Sequence, residues 1–272
     1  MNLLNNLSRR FGDTEELCEI GNETLRQISG RGSCRSFATE KLEPSLLKTL
    51  CAVALSSPTK SDLQQRDIII IENQEIRRRI NELFPENDWI HTTPSLLIFC
   101  ANNRRQRQIS QWREKEFAND HLDAFFNASV DAGIALSAFV IAAEAIGLGC
   151  CPISAIRNHS KAVSDMLQLP DYVFPIAGLG LGWPEQTAEI SLRIPLQNTV
   201  HVDQFSEDNI EQNIEAYDAR RREIQPYETQ KHRNIFGTAE NYGWSEDKAR
   251  QYAVSEREDF SDYIKSRGFK LE

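Results

Sequence analysis

The sequence predicts a β-sheet covered by helices, and three features of the chain support this fold class. Apolar segments of strand length occur at residues 67–72, 95–100 and 173–181. Segments with helical periodicity separate them, so strands and helices alternate along the chain. The Gly-x-Gly-x-x-Gly fingerprint that follows the first strand of a Rossmann domain is absent, which argues against a simple parallel dinucleotide-binding sheet.

The composition is that of an ordinary globular protein. The chain has 272 residues, of which 40% are hydrophobic and 26% are charged, enough for one large domain or two small ones. Its 31 basic and 40 acidic residues give a net charge of −9, which argues against non-specific binding to nucleic acid or to an anionic membrane. A tight cluster of arginines in so acidic a chain therefore indicates a bound anion.

The first half of the chain predicts helices that alternate with two strands. Pro44 suits the first turn of a helix, and Pro94 leads into the second strand. In order, the pattern predicts a short helix at 24–28 that ends at Ser29-Gly30, a helix at 44–56, a strand at 67–72 rich in β-branched residues, a charged helix at 74–84, a strand at 95–100, and a polar helix and loop at 104–121.

The second half centres on a long apolar helix at residues 127–146. It is apolar almost all round, so we expect it to be buried on most sides, and Gly147 and Gly149 end it. After it the pattern predicts a short strand at 151–153, an amphipathic helix at 160–169 closed by Pro170, and the third apolar strand at 173–181.

The composition changes at about residue 200, where charge rises and apolar runs end. Two helical patches, 206–223 and 245–266, have too little apolar surface for a core of their own. We therefore predict a polar N-terminal extension at 1–21, a core at 22–200, and a helical arm at 201–272 that packs on the core or on a second subunit.

Membrane insertion and secretion are not predicted. The richest apolar window, residues 132–148, is interrupted by Glu144, and no window reaches the apolar length that a membrane span needs. Arg9 and Arg10 are not followed by an apolar segment, so the N-terminus does not have the pattern of a secretory signal.

The cysteines and histidines predict neither a disulfide framework nor a metal site. The six cysteines lack disulfide-scaffold spacing, which favours a reducing cytoplasm. Cys150 and Cys151 could form a redox pair, but buried thiols are the favoured interpretation because adjacent cysteines rarely bridge. The five histidines are scattered without ligand spacing, so no metal is expected.

The most informative stretch is the heptad at residues 31–37. It places Arg31, Ser33, Arg35 and Ser36 within six residues. Arginine offers a planar fork of donors that suits phosphate, and serine adds a hydroxyl group without bulk. For the heptad alone, the alternative is a basic turn on a solvated surface.

Three further segments accompany the heptad: residues 56–65, 147–158 and 178–184, the last followed by Arg193-Ile194-Pro195. In this order and spacing the chain resembles the FMN-dependent nitroreductase family, above all its branch of NADPH-preferring flavin reductases and oxygen-insensitive nitroreductases. The similarity covers about residues 24–200, with a weaker match at 241–245. It implies an α+β fold with a central, mostly antiparallel sheet flanked by helices, an extended C-terminal arm, and a homodimer that binds FMN in its interface.

The resemblance also implies an activity. NAD(P)H would reduce the flavin and leave, and a nitroaromatic, quinone or free flavin would then take the electrons, in a ping-pong reaction. Two alternatives stay open: a flavin reductase that supplies free reduced FMN, and a flavin-binding protein with little turnover. No residue resembles an obligatory acid or base, so no catalytic side chain is predicted, which fits flavin chemistry.

The family's binding residues can be carried over position by position. The resemblance implies that Arg31 and Ser33, with Gly32 between them at the cofactor, hold the FMN phosphate together with Arg193. It also implies that Arg35 reaches toward the ribityl chain and the pyrimidine edge of the flavin. It further assigns the following residues to the cofactor: Ser57, Thr59, Gln64, Asn87, Pro152, Ile153, Ser154 and Ala155. The alternatives to cofactor binding are a surface position for Arg193 and an ordinary polar loop at 57–64.

Arg157 is the family's candidate for contact with NADPH, and Arg233 is a weaker guess for the 2′-phosphate. Alternatively, Arg157 caps or pairs on the helix at 160–169. The chain departs from the family at several positions, and three of them change the charge or size of a residue at the flavin. Gly32 replaces a basic residue, Ser191 replaces a phosphate-side lysine, and Ser154 stands where glycine is usual. The lost cations predict weaker FMN binding.

Overall fold

The structure, a computed structural model, describes residues 2–272. The strands are β1 (Arg66–Ile70), β2 (Ser95–Asn102), β3 (Gly149–Ile153) and β4 (Val173–Gly182). The α-helices are α1 (Leu3–Phe11), α2 (Glu23–Gly30), α3 (Pro44–Leu55), α4 (Gln74–Asn81), α5 (Asp88–Thr92), α6 (Arg104–Trp112), α7 (Leu122–Ala145), α8 (Ser160–Met166), α9 (Ile210–Ile224), α10 (Arg233–Phe236), α11 (Trp244–Tyr252) and α12 (Phe260–Ser266). Short 3₁₀ helices cover Lys60–Asp62, Ser154–His159 and Leu196–Asn198.

These elements form two compact units. The first, called the terminal unit, contains residues 2–32 and Glu189–Glu256. The second, called the sheet unit, contains Ser33–Ala188 and Arg257–Glu272. The boundary between them falls inside the heptad, after Gly32.

The sheet unit is built on four antiparallel strands in the order β1-β2-β4-β3. Ile68 pairs with Phe99 between the first two strands, and Cys150 pairs with Leu181 at the other edge. This arrangement confirms the predicted antiparallel sheet. Every residue of β2 is buried, as expected for a strand covered by helices on both faces.

Alternate residues of β2 enter two different cores. Leu97 and Phe99 face α3 and α7, where the Phe99 and Phe139 rings meet edge to face with centroids 5.7 Å apart. Ile98 and Cys100 face the opposite side, in a cluster with Ile156. The sheet is thus fixed from both sides.

Helix α7 is longer and less buried than the sequence pattern predicts. It begins at Leu122, and its 24 residues are by length and composition sufficient to cross a membrane, so the expectation that no window reaches that length is wrong; a core helix passes the same test. Its alanine-rich face packs in the core, whereas Phe126 is 60% and Val130 is 41% exposed. The expectation of burial on most sides is therefore wrong for this face. Gly147, with φ of 88°, lies just beyond the end of the helix, as predicted.

The last sixteen residues pack on the core of the sheet unit. Tyr263 and Ile264 of α12 join a cluster with Phe174, whose ring centroid lies 5.3 Å from that of Phe269. The single helical patch predicted at 245–266 is two helices, α11 and α12. Arg257 between them has a φ of 60°, which a continuous helix does not allow.

The terminal unit begins with α1, a helix inside the segment that we predict as a polar extension, although its Leu3, Leu4, Leu7 and Phe11 follow helical spacing. The Glu19 carboxylate accepts the backbone N–H groups of Leu3 (3.3 Å) and Leu4 (3.0 Å), and thereby caps the start of the helix. Asn6 donates to the Arg26 carbonyl (3.0 Å) and the Ser29 hydroxyl (3.1 Å) of α2. Polar contacts therefore fix this helix against α2.

The rest of the terminal unit is held by buried polar groups and aromatic rings. The patch predicted at 206–223 is confirmed as α9. Its Asp218 accepts the backbone N–H of Ser245 (3.0 Å), and Tyr217 packs edge to face on Trp244 with centroids 5.7 Å apart. A Cβ at Gly243 would come within 2.5 Å of Asp218 Cγ, so glycine is required for this approach.

Candidate functional site

Three arginines lie together in the terminal unit. The buried guanidinium of Arg10 donates to the carbonyl oxygens of Ser29 (2.9 and 3.2 Å), Arg31 (2.7 Å) and Ser191 (3.0 Å). The backbone N–H of Arg193 donates in turn to the Arg10 carbonyl at 2.8 Å. Arg10 thus joins the start of the heptad to the segment at 191–193, the two places where the sequence predicts phosphate-binding arginines.

Charges of the same sign lie close together in this cluster. Burial lowers the pKa of Arg10, and the nearby charges of Arg193 and Arg31 lower it further. Arg31 is half-buried and Arg193 is exposed. Three guanidinium groups close enough to influence one another repel, and a bound anion relieves that repulsion. This is the chemistry expected of a phosphate site.

The remainder of the heptad runs beside the edge of the sheet. The Cys34 N–H donates to the Cys150 carbonyl (3.0 Å), and the Ala38 N–H donates to the Trp183 carbonyl (2.9 Å). A Cβ at Gly149 would come within 2.6 Å of Cys34 Sγ, so the absence of a side chain there permits the approach. Within the sheet unit, three of the four motif segments therefore meet at β3 and the end of β4.

Arg35 is exposed at this edge and lies over the ring of Trp89, with 5.8 Å from its guanidinium carbon to the ring centroid. Asn87, two residues before Trp89, is exposed at the start of α5. Trp89 is therefore close to both residues, to Arg35 through its ring and to Asn87 along the chain.

The stretch at 152–155 follows β3 into a 3₁₀ helix. Pro152 and Ser154 are exposed, Ala155 is half-buried, and Ile153 is buried against Gly178. Ser154 does not adopt a positive φ, so its backbone is open to residues other than glycine. The serine that replaces the family's glycine therefore adds a side chain without backbone strain.

The segment at 57–64 lies elsewhere. The Thr59 hydroxyl donates to the fully buried carboxylate of Asp131 and accepts the backbone N–H of Gln64 at 2.9 Å. Asp131 also accepts the backbone N–H groups of Lys60 (2.9 Å) and Gln65 (3.0 Å). The hydroxyl of Thr59 is therefore engaged in holding this loop on α7, which is the ordinary polar role that the sequence left open.

Position in the sheet separates this loop from the heptad. It leads into β1, which is three strands away from β3. Three strand spacings are about 14 Å. Gln64 instead lines a cavity of about 580 Å³ with Arg66, Arg105 and Phe117. Ser57 has a buried hydroxyl that finds no hydrogen-bond partner among residues 2–272.

The two arginines predicted to contact the nucleotide lie in different units. In the sheet unit, burial and the charge of Arg257 lower the pKa of Arg157, and Arg257 donates to Asn158 Oδ1 at 2.6 Å. In the terminal unit, Arg233 donates to the Thr238 hydroxyl at 3.0 Å. Arg257 is a second cation beside Arg157 that sequence reasoning missed, since no motif surrounds it.

Comparison with known proteins identifies the family. The model of the nitroreductase family matches residues 28–183, and that of its C-terminal domain matches residues 191–272. The chain belongs to the nitroreductase family. The earlier resemblance is thereby confirmed, and the antiparallel sheet flanked by helices is its nitroreductase fold.

Individual relatives place the chain more closely within the nitroreductase family. It is 29% identical over 254 residues to an FMN reductase [NAD(P)H] of Bacillus subtilis (strain 168), covering 92% of this chain and 99% of the relative. It is 30% identical over 182 residues to an oxygen-insensitive NADPH nitroreductase of Salmonella typhimurium, covering 67% and 74%. The solved structure of B. megaterium NfrA2 superposes with a TM-score of 0.83 at 29% identity, covering 92% and 99%.

The residues present fit the cofactor that the nitroreductase family implies. FMN combines a doubly charged phosphate with a planar ring system. The arginine cluster of the terminal unit supplies guanidinium forks of the kind that bind phosphate. The sheet unit supplies an exposed arginine beside an aromatic ring and an extended backbone edge. Both halves of the cofactor therefore have suitable donors on this chain.

Proposed function

We propose that this protein is an FMN-dependent oxidoreductase that passes electrons from NAD(P)H to nitroaromatic, quinone or flavin acceptors by a ping-pong mechanism. The observation that carries the proposal is the convergence of Arg31 and Arg193 on Arg10, in a chain of the nitroreductase family. The Arg10 guanidinium donates to the Arg31 carbonyl, and the Arg10 carbonyl accepts the backbone N–H of Arg193. A cluster of like charges at two motif positions is explained by a phosphate-bearing cofactor.

The chain's own residues have distinct roles in this proposal. Arg31, Gly32, Ser33 and Arg193 bind the phosphate, and Arg35 provides a fixed positive charge near the pyrimidine edge of the ring. Asn87 and the backbone of residues 152–155 orient the ring. FMN held by these residues would supply two-electron transfer between NAD(P)H and the acceptor. Arg35 would place its positive charge where negative charge develops on the reduced ring, and water would supply the protons.

A second copy of the chain completes the site in this proposal. The loop at 57–64 lies about 14 Å of sheet away from β3, so its exposed Gln64 reaches a flavin most directly from a partner subunit, whereas the Thr59 hydroxyl holds the loop on Asp131. The exposed apolar face of α7, with Phe126 and Val130, is a surface that a homodimer would bury.

The arginines of the chain suggest its contacts with NAD(P)H, and its cysteines suggest the cellular compartment. Arg157, with Arg257 beside it, is the proposed contact for the phosphates of NAD(P)H, and Arg233 is the second candidate. No disulfide joins the cysteines of residues 2–272, which fits a reducing cytoplasm. The net charge of −9 fits small-molecule acceptors rather than nucleic acid or a membrane surface.

A flavin reductase that supplies free reduced FMN is the second candidate function, because relatives from Bacillus subtilis are named FMN reductase. Initial rates distinguish the candidates. NADPH or NADH is varied at several fixed concentrations of a nitroaromatic, a quinone or free FMN. Parallel double-reciprocal lines support the ping-pong proposal, and the acceptor with the highest kcat/KM identifies the class. A bound flavin that supports no turnover of any acceptor would leave a flavin-binding protein, and the proposed activity would be rejected.

A further inference from the structure

We propose that Arg10, delivered by α1, is a positioning residue of the phosphate site and supplies a third cation to it. Residue 10 lies outside the segment matched by the nitroreductase family model, which begins at residue 28. The inference rests on the proposed function, because it takes the phosphate of FMN as the anion. It makes the N-terminal extension a working part of the flavin site.

The geometry of Arg10 is that of a clamp. Its Nη2 donates to the carbonyls of Ser29 (2.9 Å) and Arg31 (2.7 Å), and its Nη1 donates to the carbonyl of Ser191 (3.0 Å). Ser29 and Arg31 are distant in sequence from Ser191, so a single side chain sets the spacing of the two segments. Arg31 and Arg193 are placed by the backbone that Arg10 holds.

Helix α1 is fixed firmly enough to make this clamp effective. Glu19 caps its first turn, and Asn6 bonds to α2. At its other end, Arg220 of α9 donates to the carbonyls of Ser8 (3.1 Å) and Arg10 (3.4 Å). Arg10 is only 7% exposed, so its side chain is confined to one position.

Arg10 changes the electrostatics of the phosphate site in two ways: it covers carbonyl groups, and it adds a positive charge. Carbonyl oxygens carry partial negative charge and would repel a phosphate placed beside them. Arg10 covers three of them and adds a full positive charge next to Arg31 and Arg193. Two of the covered carbonyls lie at positions where the sequence has lost a basic residue. The Arg31 carbonyl directly precedes Gly32, and the Ser191 carbonyl belongs to the residue that replaces the lysine. The helix therefore restores positive charge that the motif itself lacks.

Flavin binding to the apoprotein tests this role without relying on turnover. Dissociation constants for FMN and for riboflavin, which lacks the phosphate, are measured by flavin fluorescence for the full-length chain and for Arg10→Gln and Arg10→Lys. The matched control is Arg9→Gln, which removes the same charge from an exposed neighbour. We expect Arg10→Gln to weaken FMN binding by about tenfold, the effect of one charged contact, with riboflavin binding changed less than about twofold. Arg10→Lys should fall between, since it keeps the charge but not the fork.

The alternatives give different results. Equal weakening of FMN and riboflavin binding by both Arg10 variants would show a purely structural role and overturn the proposal. So would unchanged FMN binding in either variant. If Arg10→Gln does not fold, as seen by circular dichroism, Arg10→Lys decides in the same way. Wild-type protein that binds neither flavin would instead reject the proposed function itself, which keeps the two failures distinct.

Discussion

The guanidinium carbon of Arg35 lies 5.8 Å from the centroid of the Trp89 ring, and this pair joins the heptad to α5. The ring has room because β4 carries glycine at position 180, where a Cβ would come within 2.8 Å of Trp89 Cζ3. The Gly-x-Gly-x-Gly run of β4 therefore has a packing role in the sheet unit. It lets an aromatic ring approach the strand and support the arginine proposed to face the flavin.

Replacement of Arg35 tests its proposed role directly. We expect Arg35→Ala to lose most of its bound FMN, or at least about tenfold in kcat/KM, because the fixed charge is removed from the proposed ring site. Flavin content after purification and initial rates with NADPH measure the effect. Arg113→Ala removes an exposed arginine just after α6 and should behave as wild type. Full flavin content and a wild-type rate in Arg35→Ala would contradict the placement of the site.

Gly180→Ala tests the support beneath Arg35. The added methyl group meets the Trp89 ring and the Thr93 side chain, so we expect a loss of about 1–3 kcal/mol in the free energy of unfolding. The double variant Gly180→Ala/Trp89→Leu should lose less than the sum of the two single variants, because the shorter side chain removes the clash. Urea unfolding gives the values. Gly21→Ala, with nothing within 4 Å, is the control, and an equal effect there would refute the steric explanation.

The pH dependence of stability should include a contribution from Asp120. Its hydrogen bond with Arg107 and a further one with Lys270 lower the pKa of this carboxylate. A lowered folded-state pKa stabilises the fold above the unfolded pKa of about 3.9, and this contribution is lost as pH falls through the folded-state pKa. Asp120→Asn should therefore lower Tm at pH 7 and lose this effect at the acid end. An effect of equal size at pH 2.5 and pH 7 would show that charge is not its cause.

The exposed face of α7 predicts the oligomeric state. We expect the wild-type protein to be a dimer at micromolar concentration, and Val130→Asp to shift it toward monomer and reduce its FMN content. Light scattering and the flavin absorbance measure both effects in one sample. Ile109→Asp, a comparable substitution at a 44% exposed site on α6, serves as the control. A monomeric wild type that still retains FMN would contradict the proposed dimer.

Periodic hydrophobic patterns predicted most of the elements because burial imposes those patterns. The strands at Arg66–Ile70, Ser95–Asn102 and Val173–Gly182 are apolar since the sheet is covered on both faces. Helix α1 carries apolar residues at helical spacing but was predicted only as a polar extension, and the polar contacts that fix it, to Glu19, Arg26 and Arg220, are long-range. The length and one-sided burial of α7 also depended on packing that sequence periodicity does not encode.

The candidate site was predictable where motifs are local and not where the site is assembled from distant segments. The heptad, the residues after β3 and Arg193 are found by spacing in the sequence. Arg10 and Arg257 have no motif, and only the folded chain brings them to Arg31 and Arg157. Conversely, Thr59 matches the motif, but the buried carboxylate of Asp131 engages its hydroxyl.

The most direct test of the proposed activity is the visible spectrum of the purified protein, recorded before and after anaerobic addition of NADPH and then of NADH. The account predicts an oxidised-flavin spectrum that bleaches rapidly with at least one nucleotide, and a return of colour when a nitroaromatic or quinone is added. A protein that stays colourless after incubation with FMN, or a bound flavin that neither nucleotide reduces, would contradict it.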